Sequence, residues 1–231
     1  MRILHISDTH GFHNEFSENK FENVDMIIHS GDCSNYRSPI MNSDEVRSFL
    51  DWFCKIPIKH KIYVAGNHDS SIENGLITPS DFASCGIRYL ENQSVIIENT
   101  KFYGSPYTPS FGNWSFMKAR HKIGEIWKQI PEDTDVLITH GPPKGVRDLT
   151  YKREDNQLEM CGDNALLKRI YYDLPNLKAV LFGHIHNYKD INNQGISRYS
   201  YRPNTIFSNA SCVEDGRYDK GLIAFGNYIT I

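Results

Sequence analysis

The chain has 231 residues, 39% hydrophobic and 23% charged, with 25 Lys and Arg against 28 Asp and Glu for a formal net charge of -3. Together with a mean hydropathy of -0.50 and a pI near 6.4, this balance excludes a disordered tail, a membrane-embedded bundle and a broad polyanion-binding face. No run of five or six basic residues occurs, so there is no strong nucleic-acid signature.

In chain order, the first predicted strand is Ile3 to Ile6, ending in "SDTH" at 7–10, and the second is Met26 to His29, ending in "SGDC" at 30–33. A helix follows, capped by Asn42 or Ser43, with Val46, Phe49, Leu50 and Phe53 on one face and Pro57 beyond its end. The strand Lys61 to Ala65 runs into Gly66, Asn67, His68 and Asp69. Alternating runs at 87–90, 94–98 and 100–105 read as further strands. Ser115 is expected to open a second helix carrying Phe116, Ile123, Ile126, Trp127 and Ile130 before Pro131. Val136 to Thr139 is a strand that ends at His140, and the aperiodic stretch 142–162 reads as a surface loop or hairpin near the site. Asp163 opens a third helix, with Leu166, Leu167 and Ile170 inward and Pro175 as its stop. Ala179 to Phe182 is a strand ending in "GHIH" at 183–186; 187–204 reads as loop or hairpin, and 205–210 and 222–231 as strands. The prediction is one mixed-sheet α/β domain over residues 1–231, without repeat or linker.

The five cysteines, Cys33, Cys54, Cys85, Cys161 and Cys212, are odd in number and form no CxxC pair, which fits a reducing compartment and thiols used as small core residues. The opening "MRILHIS" lacks the parts of a signal peptide, and no stretch approaches the roughly 20 apolar residues of a membrane span. A cytoplasmic protein without a membrane partner is expected.

The chemistry gathers at the strand ends: Asp8 and His10; Asp32; Asn67, His68 and Asp69; His140; His184 and His186. Open α/β sheets place their sites beyond the carboxyl ends of strands, where these groups could converge. Carboxylates, imidazoles and an amide without thiolate suit a dinuclear site for Mn, Fe, Zn or a similar divalent ion. Asp32 is the natural bridging ligand, because a carboxylate offers one oxygen to each ion. Other polar groups read differently. His5 and His29 lie within apolar strands and suit a hydrogen-bonded core or supporting role, while His13, His60 and His121 read as surface residues. Cys33 reads as a packed thiol rather than a nucleophile. Tyr107, Phe111 and Trp114 either stack a base or pin their loop to the core. Arg37, Arg147, Arg198 and Arg202 are either phosphate clamps or solvated charges.

The motifs "DTH", "GD", "GNHD", a lone histidine at 140 and "GHIH", in that order and each after an apolar run, resemble the signature of calcineurin-like metallophosphoesterases. "GSPYTPSFGNWSF" at 104–116, "THGPPKGVRD" at 139–148 and "NAS" at 209–211 are similar to metallophosphoesterase-domain-containing proteins related to class III cyclic-nucleotide phosphodiesterases. The resemblance implies a four-layer αββα sandwich of two mixed sheets flanked by helices. It implies one divalent ion on Asp8, His10, Asp32 and His186 and a second on Asp32, Asn67, His140 and His184, with Mn expected and Fe, Zn or Mg as alternatives. The ions would share a hydroxide that attacks phosphorus in line, while His68 protonates the leaving oxygen. Asp69 either orients His68 or caps the following turn. Asn67, His68 and Trp114 are the expected substrate contacts, and the expected substrate is a small phosphoester, a short or cyclic nucleotide diester. Alternatives are a phosphomonoesterase or nuclease with the same site, or a non-catalytic scaffold of this fold. The stretch "NYKDINNQGISRYSYRPN" departs from the subfamily, whose members tend to place an acidic residue and a short glycine-containing turn there.

Overall fold

The computed structural model describes residues 1–152, 154–215 and 220–231. Along the chain these residues form β1 (Arg2–Ile6), β2 (Met26–His29), α1 (Pro39–Lys55), β3 (His60–Tyr63), α2 (Ser70–Glu73), α3 (Pro79–Ser84), β4 (Ile87–Tyr89), β5 (Gln93–Ile97) and β6 (Thr100–Ser105). There follow β7 (Thr108–Pro109), β8 (Met117–Lys118), α4 (Gly124–Trp127), β9 (Val136–Thr139), β10 (Leu149–Tyr151), β11 (Leu158–Met160) and α5 (Asn164–Asp173). The chain closes with β12 (Ala179–Phe182), β13 (Gly195–Tyr199), β14 (Arg202–Asn209) and β15 (Asn227–Thr230). Five strands form one sheet in the order β15-β1-β2-β3-β4, and six form another in the order β13-β14-β12-β9-β6-β5.

The two-residue alternation of strand side chains sorts the apolar residues into three cores. Ile3, Met26, Ile28 and Ile62 point from the first sheet toward Phe102, Val136, Ile138 and Leu181 of the second, making the central core. Leu4, Ile6, Ile27 and Tyr63 point outward under Val46, Phe49, Leu50 and Phe53 of α1. Leu137, Val180 and Phe207 point out of the second sheet onto Ile126, Trp127, Leu166 and Ile170. The architecture is the expected αββα sandwich. Phe49 and Phe53 are fully buried, and each such side chain stabilises the layer by about 1.5–3 kcal/mol.

Two helices differ from the sequence reading. α1 begins at Pro39 rather than after a cap at Asn42 or Ser43, because proline at the first helical position costs no hydrogen bond and presets φ. Asn42 then lies inside the helix, fully buried, and its side chain turns to the site instead of capping. The helix expected from Ser115 shrinks to the single turn of α4. Thr108 and Ser110 donate their amides to Phe116 and Lys118, which holds the beginning of that segment extended as β8. Phe116 itself takes a φ of 51°. The apolar positions were nevertheless correctly placed: Ile123, Ile126, Trp127 and Ile130 all enter the outer core. α5 starts as predicted, with the Asp163 carboxylate accepting from the Leu166 amide at 2.7 Å. Trp127 Nε1 donates to the same carboxylate at 2.8 Å and ties α4 to α5. The aperiodic stretches hold the β10–β11 hairpin and β13, which pairs antiparallel with β14.

In parallel register, Ile6 pairs with His29 and His29 with Tyr63, while Leu181 pairs with Ile138. The carboxyl ends of β1, β2, β3 and of β9 and β12 are therefore level within each sheet. Ser7 joins the two sheets, donating its amide to Ala210 and accepting from Cys212.

Candidate metal centre

All seven expected ligands meet at this edge. Asp8, His10, Asp32, Asn67, His140 and His186 are buried, and His184 is half-buried. Asp8 accepts from the His184 amide at 3.0 Å and from Ser211 Oγ at 2.9 Å, and His186 Nε2 lies 3.0 Å from it. His140 Nδ1 lies 2.9 Å from the Ser30 carbonyl, which fixes its Nε2 toward Asn67 Oδ1 at 3.0 Å and Asp32 Oδ2 at 3.2 Å. His10 Nδ1 is held in the same way by the Ser34 carbonyl at 3.1 Å.

The local sequence explains how so many groups fit. Asp8, His10, Asp32 and His184 all lie in the left-handed region, with φ of 51°, 42°, 60° and 67°. Non-glycine residues hold such angles only where the surroundings over-determine them, and they cluster at functional sites. Two motif glycines are required by close approach: a Cβ at Gly66 would strike Asp32 Oδ1 and the backbone amide of Asp32, and a Cβ at Gly183 would strike Asp8 Oδ2 and Ser7 Oγ.

Asp69 takes neither expected role. Its carboxylate is fully buried, and its hydrogen bonds go to groups other than the His68 ring. It accepts from the Asp32 amide at 3.0 Å, the Gly66 amide at 2.7 Å, Tyr63 Oη at 2.7 Å and Ser34 Oγ at 2.6 Å. At the start of α2 its side chain makes no cap bond. Asp69 thus braces the ends of β2 and β3 against each other. Asn42 Nδ2 supports the same loop, donating to the His68 carbonyl at 2.8 Å.

Burial and charge split the histidines. His10 and His184 are driven down to about 3 by burial, as are the non-ligand His5 and His29. Burial acts on His140 in the same sense, but the Asp32 and Asp8 carboxylates outweigh it and raise the ring to about 9. His186 is likewise raised against burial by Asp8. Asp32 is held well below the usual carboxylate range, its burial outweighed by His140 and His68. The bonds of His5 to Ser208 and Ser30 at 2.8 and 2.9 Å, and of His29 to Thr9 at 3.0 Å, give both the expected supporting role.

Whether these residues suit two divalent ions is a question of donor chemistry. Three sets of side chains, Asp8 with His10 and His186, Asp32 with His140 and His184, and His10 with Asp32 and His68, place donor atoms within 4.8 Å of one another. Asn67 Oδ1 adds a neutral oxygen beside the second set. Nitrogen and oxygen donors, with a carboxylate shared between sets, fit a pair of such ions. His68 is half-buried, with Nδ1 3.5 Å from the Asn35 carbonyl and its ring 4.3 Å from Trp114 and 4.8 Å from His10, centroid to centroid.

The residues weighed outside this set divide. Cys33 is a packed thiol, fully buried with its pKa raised by burial and by Asp69. His13, expected at the surface, is buried against Phe49 and Trp52 because the turn at His13–Glu15 folds under α1. Tyr107 bonds Glu91, whereas Phe111 lies exposed beside His184. Arg147 donates to the carbonyls of Asn193, Gln194 and Ile196, and Arg202 to those of Ile170 and Leu174 at the end of α5. Arg198 donates to Pro203. All three turn guanidinium N–H groups to backbone carbonyls. Sequence reasoning missed Ser34, Asn42 and Ser211 as supports of the site. Of the three, only Ser211 lay in a quoted motif.

The calcineurin-like phosphoesterase profile matches residues 1–188. The chain belongs to the calcineurin-like phosphoesterase family. Metallophosphoesterase domain-containing protein 1 of Homo sapiens is 28% identical over 222 residues, 86% of this chain and 64% of that protein. A UPF0046 protein of Caenorhabditis elegans is 32% identical over 212 residues, 84% of this chain and 72% of that protein. A protein of Emericella nidulans named probable rhamnogalacturonate lyase C is 31% identical over 199 residues, 80% of this chain but 17% of that protein. The chain thus spans less than two thirds of the human and the fungal relative. A solved structure with a TM-score of 0.63 and 15% identity covers 90% of this chain and 89% of its own, and shows the fold. Among the described residues no helix is long and apolar enough to cross a membrane.

Proposed function

We propose that this phosphoesterase is a two-metal phosphodiesterase of small or cyclic nucleotides. Asp8, His10, Asp32 and His186 would hold one ion, and Asp32, Asn67, His140 and His184 the other; Mn is the expected activator and the cytoplasm the expected location. When bound, the ions would acidify a water and offset charge on the phosphoryl oxygens. The observation that carries the reading is the place of Asp32, shared by two donor sets, with its Oδ1 accepting from the His68 amide at 2.7 Å. The backbone contact ties the His68 main chain to Asp32, and the half-buried ring packs against Trp114, which supports a role in giving a proton to a leaving oxygen. A cavity of about 190 Å³ lies in front of it, lined by Asn67, His68 and Trp114, and offers a leaving group somewhere to go. The similarity to metallophosphoesterase domain-containing protein 1 supports the same reading.

His68 also lies in the third donor set, so acid and ligand make different predictions. As an acid, His68→Ala should keep two metal equivalents by elemental analysis. It should lose about 10²–10⁴-fold in kcat toward alkyl diesters and far less toward bis-nitrophenyl phosphate, whose leaving group needs no proton. A lost metal equivalent would make His68 a ligand, and equal losses on both esters would rule out the acid. Turnover of nitrophenyl monoesters without any diester would overturn the diesterase assignment.

A further inference from the structure

Three of the four arginines weighed from the sequence spend their guanidinium groups on backbone carbonyls, as described above. Arg37 does not. It is exposed, and its guanidinium makes no hydrogen bond or ion pair with any described residue; its Cζ lies 3.8 Å from the centroid of a Trp114 ring. Trp114 in turn packs on His68. All three line the cavity beside Asn67, the one expected ligand that reaches it, with Asn74 and Asn113. Glu73 reaches the same cavity, but its Oε1 accepts from the Phe116 amide at 2.8 Å.

Stacking occupies the face of a guanidinium and leaves its in-plane N–H groups, a fork that matches two oxygens of a phosphoryl group. The Trp114 ring already carries two partners, which makes it a mount for Arg37 rather than an open platform for a base. At about 190 Å³ the cavity is below the roughly 300–1,000 Å³ that encloses a drug-sized ligand, so it suits a small charged group. With His68 as the acid that protonates the leaving oxygen, a cavity lined by His68 is on the leaving-group side.

We propose that Arg37 is a specificity-determining residue that binds a second phosphoryl group, carried by the leaving group of a short diester. The inference rests on the phosphodiesterase reading and narrows its substrate class. The test compares the dinucleotide ApA with its 5′-phosphorylated and 3′-phosphorylated forms, using metal-loaded wild type, Arg37→Gln and Arg37→Lys. A charge-assisted pair predicts that one phosphorylated form exceeds ApA by about tenfold in kcat/KM, and that the ratio falls to within about threefold in Arg37→Gln. Arg37→Lys should retain part of it. Taking the ratio cancels any general loss of activity in the variants. A ratio near one in wild type, or one that survives in Arg37→Gln, overturns the assignment. Tryptophan-fluorescence titration of metal-stripped protein reads binding without turnover: the preferred form should bind wild type about fivefold or more tighter than Arg37→Gln, and equal affinities again overturn it. If that difference stands while wild type leaves every diester intact, the diesterase reading falls and the phosphoryl site remains.

Discussion

Asp69 provides the sharpest test of how the site is held together. In Asp69→Ala five donors lose their acceptor: the amides of Asp32 and Gly66, the hydroxyls of Tyr63 and Ser34, and more weakly the Cys33 thiol. The hydroxyls can turn elsewhere, and Ser34 Oγ still accepts from Asn42 Nδ2. The two amides cannot, and a buried unsatisfied amide costs about 1–3 kcal/mol. Removing a buried carboxylate, whose pKa is raised by burial and by Asp32, returns part of that cost. The expected loss is about 2–5 kcal/mol, a large share of a typical stability of about 5–15 kcal/mol. Asp69→Asn behaves differently because the bonds are divided. Oδ2 takes both amides and Tyr63, whereas Oδ1 takes Ser34 and, at 3.5 Å, Cys33 Sγ. An asparagine with its oxygen in the Oδ2 place keeps three of the bonds and turns its amide to Ser34, for a loss of about 1 kcal/mol. Urea unfolding of the metal-free variants, followed by circular dichroism, gives both numbers. Alanine within about 1 kcal/mol of wild type, or asparagine as damaging as alanine, would refute the bracing role.

Two further outcomes follow from groups beside the site. Ser211→Ala removes the bond to Asp8 Oδ2 without replacing a candidate ligand, so metal affinity should fall about 10–100-fold while the fold is unchanged; undiminished affinity in a chelator competition would count against Ser211 as a support. Burial lowers His13 to about 4 from an ordinary 6.5, so its neutral form favours the fold. That contribution is complete above pH 6.5 and is lost as pH falls toward 4, by at most about 1.4 kcal/mol per pH unit. His13→Gln should flatten the stability profile in that window, and parallel profiles for the two proteins would disprove it.

Periodicity carried most of the fold. The five strands that end in polar groups were readable because each is a short apolar run cut off by serine, glycine or histidine, and α5 because Asp163 caps it. The segment after Ser115 misled because its helical spacing is real from Ile123 onward, while the backbone at Phe116 answers to Thr108, Glu73 and a left-handed φ, none of which is local. His13 was misplaced for a related reason: burial under Phe49 and Trp52 is set by packing 36 and 39 residues away. That the strand-end carboxylates and imidazoles converge was legible from the order of their motifs, whereas their division between two ions was implied only by the family resemblance. Their supports were not legible, since Ser34 and Asn42 are common polar residues whose partners lie across the fold.

The left-handed angles at Asp8, His10, Asp32 and His184 have an energetic consequence. Each costs of order 1–3 kcal/mol, so together they rival the net stability of a typical domain. Hydrogen bonds from their own backbone amides hold all four. Asp8 donates its amide to the Gly31 carbonyl, His10 donates to that of Asp32, and the Asp32 amide reaches Asp69. The fourth, His184, donates its amide to the Asp8 carboxylate. These bonds chain the ends of β1, β2, β3 and β12 together, and strands fixed by three apolar cores cannot relax the angles one at a time. The constellation is therefore a property of the folded chain itself. A donor set held in this way spends folding energy in advance, and its strain is concentrated at the strand ends where the motifs lie.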